Sequence, residues 1–359
     1  MKLDMFYSSI TALMAAFVLL TSFPVQGQKG TRRTGTVERI MVHGKGLEGN
    51  LSGDSPDREV AVYLPPGYKE NPKRRFPVVY LLHGFTDSAS KLYGFEQHWM
   101  NLPKVLNKAF ADGKRPEMIF VTPNAYSRFG GSMYSRSVTT GNWEEFIARE
   151  LVAHIDKKYR TIPKAESRGL AGHSMGGYGA LRIGQQYPEV FSSLYLLSPC
   201  CLEANSNVPQ DSAASARLQA IRTQADLNRA DFFTKAMFAS AAAWSPNPTK
   251  PPFFLDLPLE KGQLQPSVLA RWNANRPLAT IDQNIYNIRK LRALAFDAGS
   301  QDKSIAASIR ELNEILNNYG IRHRYEEYEG DHINRVAERI GTLLLNFYAE
   351  NLSFEQERK

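Results

Sequence analysis

The chain reads as an α/β protein, a mostly parallel central sheet flanked by helices, and three observations predict it. Residues 76–82 form a continuous apolar run rich in β-formers (Phe76, Val78, Val79, Tyr80, Leu81, Leu82), the mark of a strand buried on both faces. Similar runs lie near 118–121, 168–171, 194–197 and 291–296, with helical patterns between them at 102–112, 143–158 and 176–187. Strands alternating with helices argue for right-handed crossovers and a parallel sheet. The third observation is Gly172-His173-Ser174-Met175-Gly176, a G-x-S-x-G pattern placed between a short extended run and a helix. In that context a serine sits on a tight, strained turn that small neighbours permit.

Residues 1–27 read as an export signal. Lys2 gives a weakly positive start, 10–20 is an apolar run too short to span a bilayer, and Val25-Gln26-Gly27 offers small residues for cleavage after Gly27. No cysteine follows the run, so a lipid anchor is not expected. Residues 28–359 then form one domain. After a loose lead-in, 36–43 and 59–64 alternate apolar and polar residues as half-buried antiparallel strands do, and Pro65-Pro66-Gly67 ends the second.

The buried strands and helices named above follow. The stretch 201–285 breaks their rhythm. Residues 213–238 are helical in pattern and the proline-rich 245–254 is loop-like. This is too long for a simple crossover. It reads as an insertion over one end of the sheet, either a lid and pocket wall or a second packing layer. Alternation resumes with a helix over 304–318, carrying Ile305, Ile309, Leu312 and Ile315 at helical spacing and ended by Gly320. A strand over 322–328, a loop at Gly330-Asp331-His332, a helix over 336–348 and a fraying polar tail at 351–359 complete the chain.

Composition narrows the function classes. The 359 residues carry 44 Lys and Arg against 36 Asp and Glu, a net charge of +8. That charge is dispersed apart from Arg32-Arg33 and Lys73-Arg74-Arg75, and no nucleic-acid-binding motif accompanies it, so no nucleic-acid partner is expected. No later stretch is long and apolar enough for stable membrane insertion. Cys200 and Cys201 are the two cysteines. They lack metal-ligand spacing, so they are either reduced filler or a vicinal disulfide. Neither a metal nor an organic cofactor is implied.

A serine hydroxyl becomes a nucleophile when a base takes its proton and a carboxylate orients that base. With the serine on a strand-to-helix turn, the expected chain order is Ser, then Asp or Glu, then His. Only His323 and His332 follow Ser174. His323 lies inside a strand, whereas His332 lies in a loop beyond it and is the preferred base. Asp297 and Asp302 both follow the preceding strand, and spacing alone does not choose between them. Two backbone donors are needed for an oxyanion: the N–H of Met175, and that of Phe85 after Leu82-His83-Gly84. His83 in that pattern reads as a structural hydrogen-bonder. Phe253, Phe254 and Trp272 are the bulky apolar groups of the insertion and candidates for a substrate wall.

These pieces recur in order with others: Leu81-Leu82-His83-Gly84, Pro123-Asn124, Gly141-Asn142-Trp143-Glu144, Glu150-Leu151, Ile155-Asp156, Tyr159-Arg160-Thr161, the elbow running on to Gly177-Tyr178-Gly179-Ala180, and Gly299 with Asp302. Over roughly 36–199 and 288–348 the chain resembles the putative-esterase (esterase D-like) family of α/β-hydrolases. That family includes feruloyl and acetylxylan esterases of carbohydrate esterase family 1, S-formylglutathione hydrolase, siderophore esterases and the antigen 85 mycolyltransferases. The resemblance implies an α/β-hydrolase fold with Ser174 as nucleophile, Asp302 as acid, His332 as base and Phe85 and Met175 as oxyanion donors, and it adds Trp143 as a substrate contact. It implies a secreted or periplasmic serine esterase acting on carbohydrate-linked acetyl or hydroxycinnamoyl esters. An acyltransferase to a sugar or alcohol is the alternative, and a non-catalytic binding protein a further one. Ser198-Pro199-Cys200-Cys201 and the insertion depart from the family pattern, so substrate identity does not transfer.

Overall fold

The computed structural model describes residues 33–203, 208 and 212–354; the expected export signal and its cleavage site lie outside the described residues. Eight strands build the main sheet: β1 (Thr36–His43), β2 (Asp57–Leu64), β3 (Val78–Leu82), β4 (Ile119–Pro123), β5 (Arg168–His173), β6 (Ser193–Leu197), β7 (Ala293–Gly299) and β8 (Arg324–Tyr328). Their order is β1-β2-β4-β3-β5-β6-β7-β8. β2 runs antiparallel to both β1 and β4, and every other pairing is parallel.

The pleat explains why the central runs are apolar throughout. Val78, Tyr80 and Leu82 enter one core layer together with Leu194 and Leu196. Val79 and Leu81 enter the other with Tyr195 and Leu197. A strand covered on both sides has no polar face to show. Helix α1 (Leu102–Phe110) and the final helical stretch, 336–351, cover the second layer through Leu106, Phe110, Ile340 and Phe347. Helix α2 over 143–158, whose middle segment Phe146–Leu151 is a π-helix, and α3 (Met175–Gln186) cover the first.

The stretch 213–238, helical in pattern, is divided into three helices. They are α4 (Ser212–Ala220), α5 (Gln224–Arg229) and α6 (Phe232–Trp244). Side chains inside the run make the breaks. Thr223 and Asp226 form a reciprocal capping box that restarts the helix, and Asp231 caps α6 through the N–H of Thr234. Helices α7 (Pro266–Ala274) and α8 (Pro277–Ile288) follow, each with a proline in its first turn. Much of this segment packs onto the core. Its buried Phe238, Trp244, Trp272 and Ile285 join the first core layer. Hydrogen bonds from Ser137 Oγ to Ala242 O (2.6 Å), Trp244 Nε1 to Ser135 Oγ (3.1 Å) and Tyr178 OH to Asn275 O (2.8 Å) tie it to the sheet-end loops and to α3.

Helix α9 (Lys303–Asn318) buries Ile305, Ile309 and Leu312 as its spacing predicts. The expected fraying does not begin at 351. Leu352 is buried, Ser353 N donates to Glu166 O (2.8 Å) and Ser167 Oγ donates to Ser353 O (2.6 Å). Cys200 and Cys201 are both free thiols, half-buried, with their sulfurs 2.8 Å apart. Among the described residues, no helix is long and apolar enough to cross a membrane.

Candidate active site

Ser174 follows the last residue of β5, a central strand, and precedes the first residue of α3. Its backbone is strained, with φ +56° and ψ −117° in a region that side chains with a Cβ avoid. The surroundings impose that conformation. A Cβ at Gly172 would lie 2.1 Å from the backbone of Gly176, and one at Gly176 would lie 2.0 Å from Leu82 O. Both glycines are therefore required for α3 to leave the sheet this sharply. Ser174 N donates to Leu197 O (3.0 Å), and Ser174 O accepts from Tyr178 N (3.0 Å) and Cys200 N (3.2 Å). The turn is thus held on three sides, and the positive end of α3 faces the serine.

Two loops bring Asp302 and His332 together. Ser300 N donates to Tyr328 O (2.8 Å) and Gln301 N to Gly330 O (3.0 Å), which joins the turn after β7 to the loop after β8. The approach needs Gly299, where a Cβ would fall 2.3 Å from Gly330 O. Asp302 occupies the N-cap of α9, but its carboxylate does not bond the helix. It turns to His332 instead, with Nδ1 of the imidazole 2.5 Å from Asp302 Oδ2. A carboxylate there selects the tautomer in which Nδ1 carries the proton and Nε2 is free to accept one. Asp331 shapes the loop by accepting from the N–H groups of Ile333 (2.8 Å) and Asn334 (2.7 Å). The His332 side chain is 37% exposed and that of Asp302 is 16% exposed, so the pair opens to solvent from the histidine side.

Asp297, the other candidate acid, is enclosed within β7. Its Oδ2 accepts from Tyr195 OH (2.7 Å) and Arg339 Nε (2.8 Å). Burial raises its carboxyl to about 6, against the opposing pull of Arg339 and Tyr195. It is a structural ion-pair residue that ties the sheet to the last helix, and β7 continues three residues beyond the expected end because Asp297 to Gly299 pair with β8. His323 also packs: its ring stacks on Phe296 at 5.3 Å and contacts Ile321 O and Asn313 Oδ1.

The loop after β3 comes up beside the elbow. A Cβ on Gly84 would lie 3.5 Å from that of Ser174. His83 is buried, its Nδ1 donates to Gly84 O (2.8 Å) and its Nε2 accepts from Ala125 N (2.8 Å). Burial lowers its pKa to about 4, so it stays neutral and keeps that tautomer. Tyr134 OH donates to His83 O (3.1 Å) and Thr86 N donates to Gly130 O (2.9 Å), which anchors the loop before and after Gly84-Phe85. Among the described residues, no hydrogen bond takes up the N–H of Phe85 or of Met175. The two side chains come together over Gly131, where a Cβ would meet both Met175 Sδ and the Phe85 ring within 2.8 Å.

The aromatic residues singled out from sequence lie elsewhere. Trp143 is 1% exposed, donates its indole N–H to Thr140 O (2.9 Å) and lies under Arg58. Trp272 packs edge-on to Trp244 and donates to Ser245 Oγ (2.9 Å). Phe253 packs between Phe129 and Phe238 and lines a cleft of the insertion with Leu218 and Leu255. Phe254 is half-buried, and its carbonyl accepts from Thr139 Oγ1 (2.6 Å) and Asn247 N (2.8 Å). The aromatics adjoining the elbow are ones the sequence reading did not single out. Phe232 meets the Phe85 ring edge-on at 5.4 Å and Phe233 meets Phe232 at 5.6 Å. They are 54% and 79% exposed, large apolar groups in water at the start of α6. Trp99 meets the ring of His173 at 5.6 Å. Two adjacent phenylalanines after a capping aspartate were the available signal for the first pair; Trp99 had none.

An eight-stranded, mostly parallel sheet with G-x-S-x-G on the turn from strand to helix defines an α/β-hydrolase. Within that class the chain belongs to the family described as "Putative esterase", whose model matches residues 55–336. An esterase of Mycobacterium tuberculosis is 26% identical over 288 residues, 77% of this chain and 52% of that protein. An endo-1,4-beta-xylanase/feruloyl esterase of Xylanibacter ruminicola is 31% identical over 144 residues, 38% of this chain and 19% of that one. A solved ferulic acid esterase superposes with a TM-score of 0.58 at 21% identity, over 88% of this chain and 97% of its own. The chain spans about half the length of the mycobacterial relative it matches.

Proposed function

We propose that the protein is an exported serine esterase that hydrolyses carboxylic esters through an acyl-enzyme. The observation that carries this reading is the 2.5 Å contact between His332 Nδ1 and Asp302 Oδ2, with the His332 ring 4.8 Å from that of His173, the residue before an elbow serine held at positive φ. Ser174 Oγ attacks the ester carbonyl carbon as its proton passes to His332 Nε2. The N–H groups of Phe85 and Met175 receive the carbonyl oxygen as it becomes negative. The tetrahedral intermediate collapses, the C–O bond to the alcohol breaks, and His332 returns the proton to the departing alkoxide. Water repeats the sequence on the acyl-enzyme and frees the acid.

The substrate reading is an ester of a hydroxycinnamoyl-type or acetyl group on a carbohydrate. The relatives named as feruloyl and ferulic acid esterases support it. So does the aromatic wall of Phe85, Phe232 and Phe233, which offers planar apolar surface to an aromatic acyl group. Export rests on the 1–27 segment. The test is hydrolysis of p-nitrophenyl acetate and methyl ferulate by the wild type and by Ser174→Ala. The account expects turnover by the first and a loss on the order of 10⁶ in kcat in the second. A folded Ser174→Ala protein retaining a tenth of the activity overturns it.

A further inference from the structure

His173, the residue before Ser174, is not needed by the reaction just described, yet it touches the loop that carries the base. It is the last residue of β5 and is buried. Its Nε2 lies 2.9 Å from the backbone carbonyl oxygen of His332, an acceptor only, so Nε2 carries the proton and donates. Its ring lies 4.8 Å from the His332 ring, and Trp99 closes the other side at 5.6 Å. Behind it, a Cβ at Gly84 would come within 3.4 Å of Nδ1.

We infer that His173 is a positioning residue: its Nε2–H bond to His332 O holds the loop bearing His332 in register with the elbow bearing Ser174. The inference rests on the roles proposed for those two residues. The bond links the neighbour of the nucleophile to the backbone of the base, so the two move as one piece. Without it the Asp302–His332 contact can survive while the pair shifts relative to Ser174. The titratable groups facing His173 are Asp87, His332 and Asp302. Burial, reinforced by His332, lowers the pKa of His173 to about 4. The imidazole therefore stays neutral, and the donor stays in place, across the range in which a free histidine would titrate.

The test compares His173→Met with His173→Gln. The two side chains are similar in length and volume, and only Gln keeps a donor near the Nε2 position. A misplacement of about 1 Å in a catalytic pair can cost on the order of 10²-fold. His173→Met should therefore lose about 10- to 100-fold in kcat on p-nitrophenyl acetate with KM within about threefold of wild type. His173→Gln should recover most of the loss. Wild-type-like kcat in the Met variant overturns the inference, and so does equal impairment of both, which would mean packing alone. Ser174→Ala run alongside separates the failures: if it stays active, the proposed reaction falls and the inference with it; if it is dead while His173→Met is normal, the inference alone falls. Should neither His173 variant fold, imidazole ¹⁵N NMR of the wild type decides. An Nε2–H tautomer unchanged from about pH 8 to pH 5 supports the bond, and an Nδ1–H tautomer or a titration near 6.5 refutes it.

Discussion

Replacing Asp302 by asparagine keeps shape and removes charge, and the geometry defines what is lost. The carboxylate oxygen 2.5 Å from His332 Nδ1 can only accept, so it pins the proton on Nδ1 and leaves Nε2 free for its role in the proposed reaction, taking the proton of Ser174. An amide in the same place can turn its NH₂ to Nδ1, which moves the proton to Nε2 and blocks the base. It also removes the negative charge that stabilises the imidazolium, at a site only 16% exposed, where water compensates poorly. The corresponding change in a serine protease costs about 10⁴ in kcat, or roughly 5.5 kcal/mol of transition-state stabilisation. We expect a loss of that order for Asp302→Asn. Stability should change by less than about 1 kcal/mol, because the side chain makes no capping bond to α9 that could be lost and asparagine has the same shape. The assay is kcat on p-nitrophenyl acetate beside a thermal melt. More than a tenth of wild-type kcat in a folded Asp302→Asn protein refutes the reasoning, as does finding Asp297→Asn to be the folded, inactive variant.

Asp297→Asn should act through stability, and the effect should depend on pH. Burial raises the carboxyl to about 6, above its unfolded value, so the folded state holds the proton more tightly and this group's contribution weakens as pH rises from about 4 through 6, by roughly 3 kcal/mol. Melts from pH 4 to pH 7 should therefore show the wild type losing stability relative to Asp297→Asn; a constant gap, or one that moves the other way, contradicts the account. Gly176→Ala places a Cβ 2.0 Å from Leu82 O and should leave no folded, active protein, so a soluble variant with normal kcat would show that the elbow relaxes at little cost. Phe232→Ala with Phe233→Ala should raise KM for methyl ferulate about tenfold and leave p-nitrophenyl acetate nearly unchanged, since only the aromatic acyl group needs the wall. Equal losses on both substrates would make those side chains structural.

The parts of the site legible in the sequence are those whose chemistry requires a residue type at a fixed place in the chain. Ser174 was legible because two flanking glycines and a strand-to-helix change surround it. His332 was legible because it lies in a loop after the last strand, where a side chain is free to turn inward. Asp302 and Asp297 could not be separated by spacing. What divides them is three-dimensional: Asp297 faces Tyr195 and Arg339 inside the sheet, whereas Asp302 meets His332 only because the 299–302 turn docks on Gly330. The role of the insertion stayed open in the sequence for a related reason. Bulky aromatics serve a core and a pocket equally well, so Phe253 and Trp272 carried no mark of facing inward. Its helix breaks were written in Thr223, Asp226 and Asp231, but a long apolar pattern obscures caps within it. The tether from His173 depends on a backbone carbonyl 159 positions away, which composition and periodicity do not reveal.

The central claim is that Ser174 Oγ carries the acyl group during turnover, and one measurement addresses it directly. The protein is mixed with p-nitrophenyl acetate, quenched in acid within the first turnovers, digested with trypsin and analysed by tandem mass spectrometry. Cleavage after Arg168 and Arg182 yields a peptide in which Ser174 is the only serine. The account predicts an acetyl adduct on Ser174 that accumulates in step with a burst of p-nitrophenol and is absent from Ser174→Ala. Steady turnover with no adduct on that peptide, or an adduct on another residue that persists in Ser174→Ala, would contradict it.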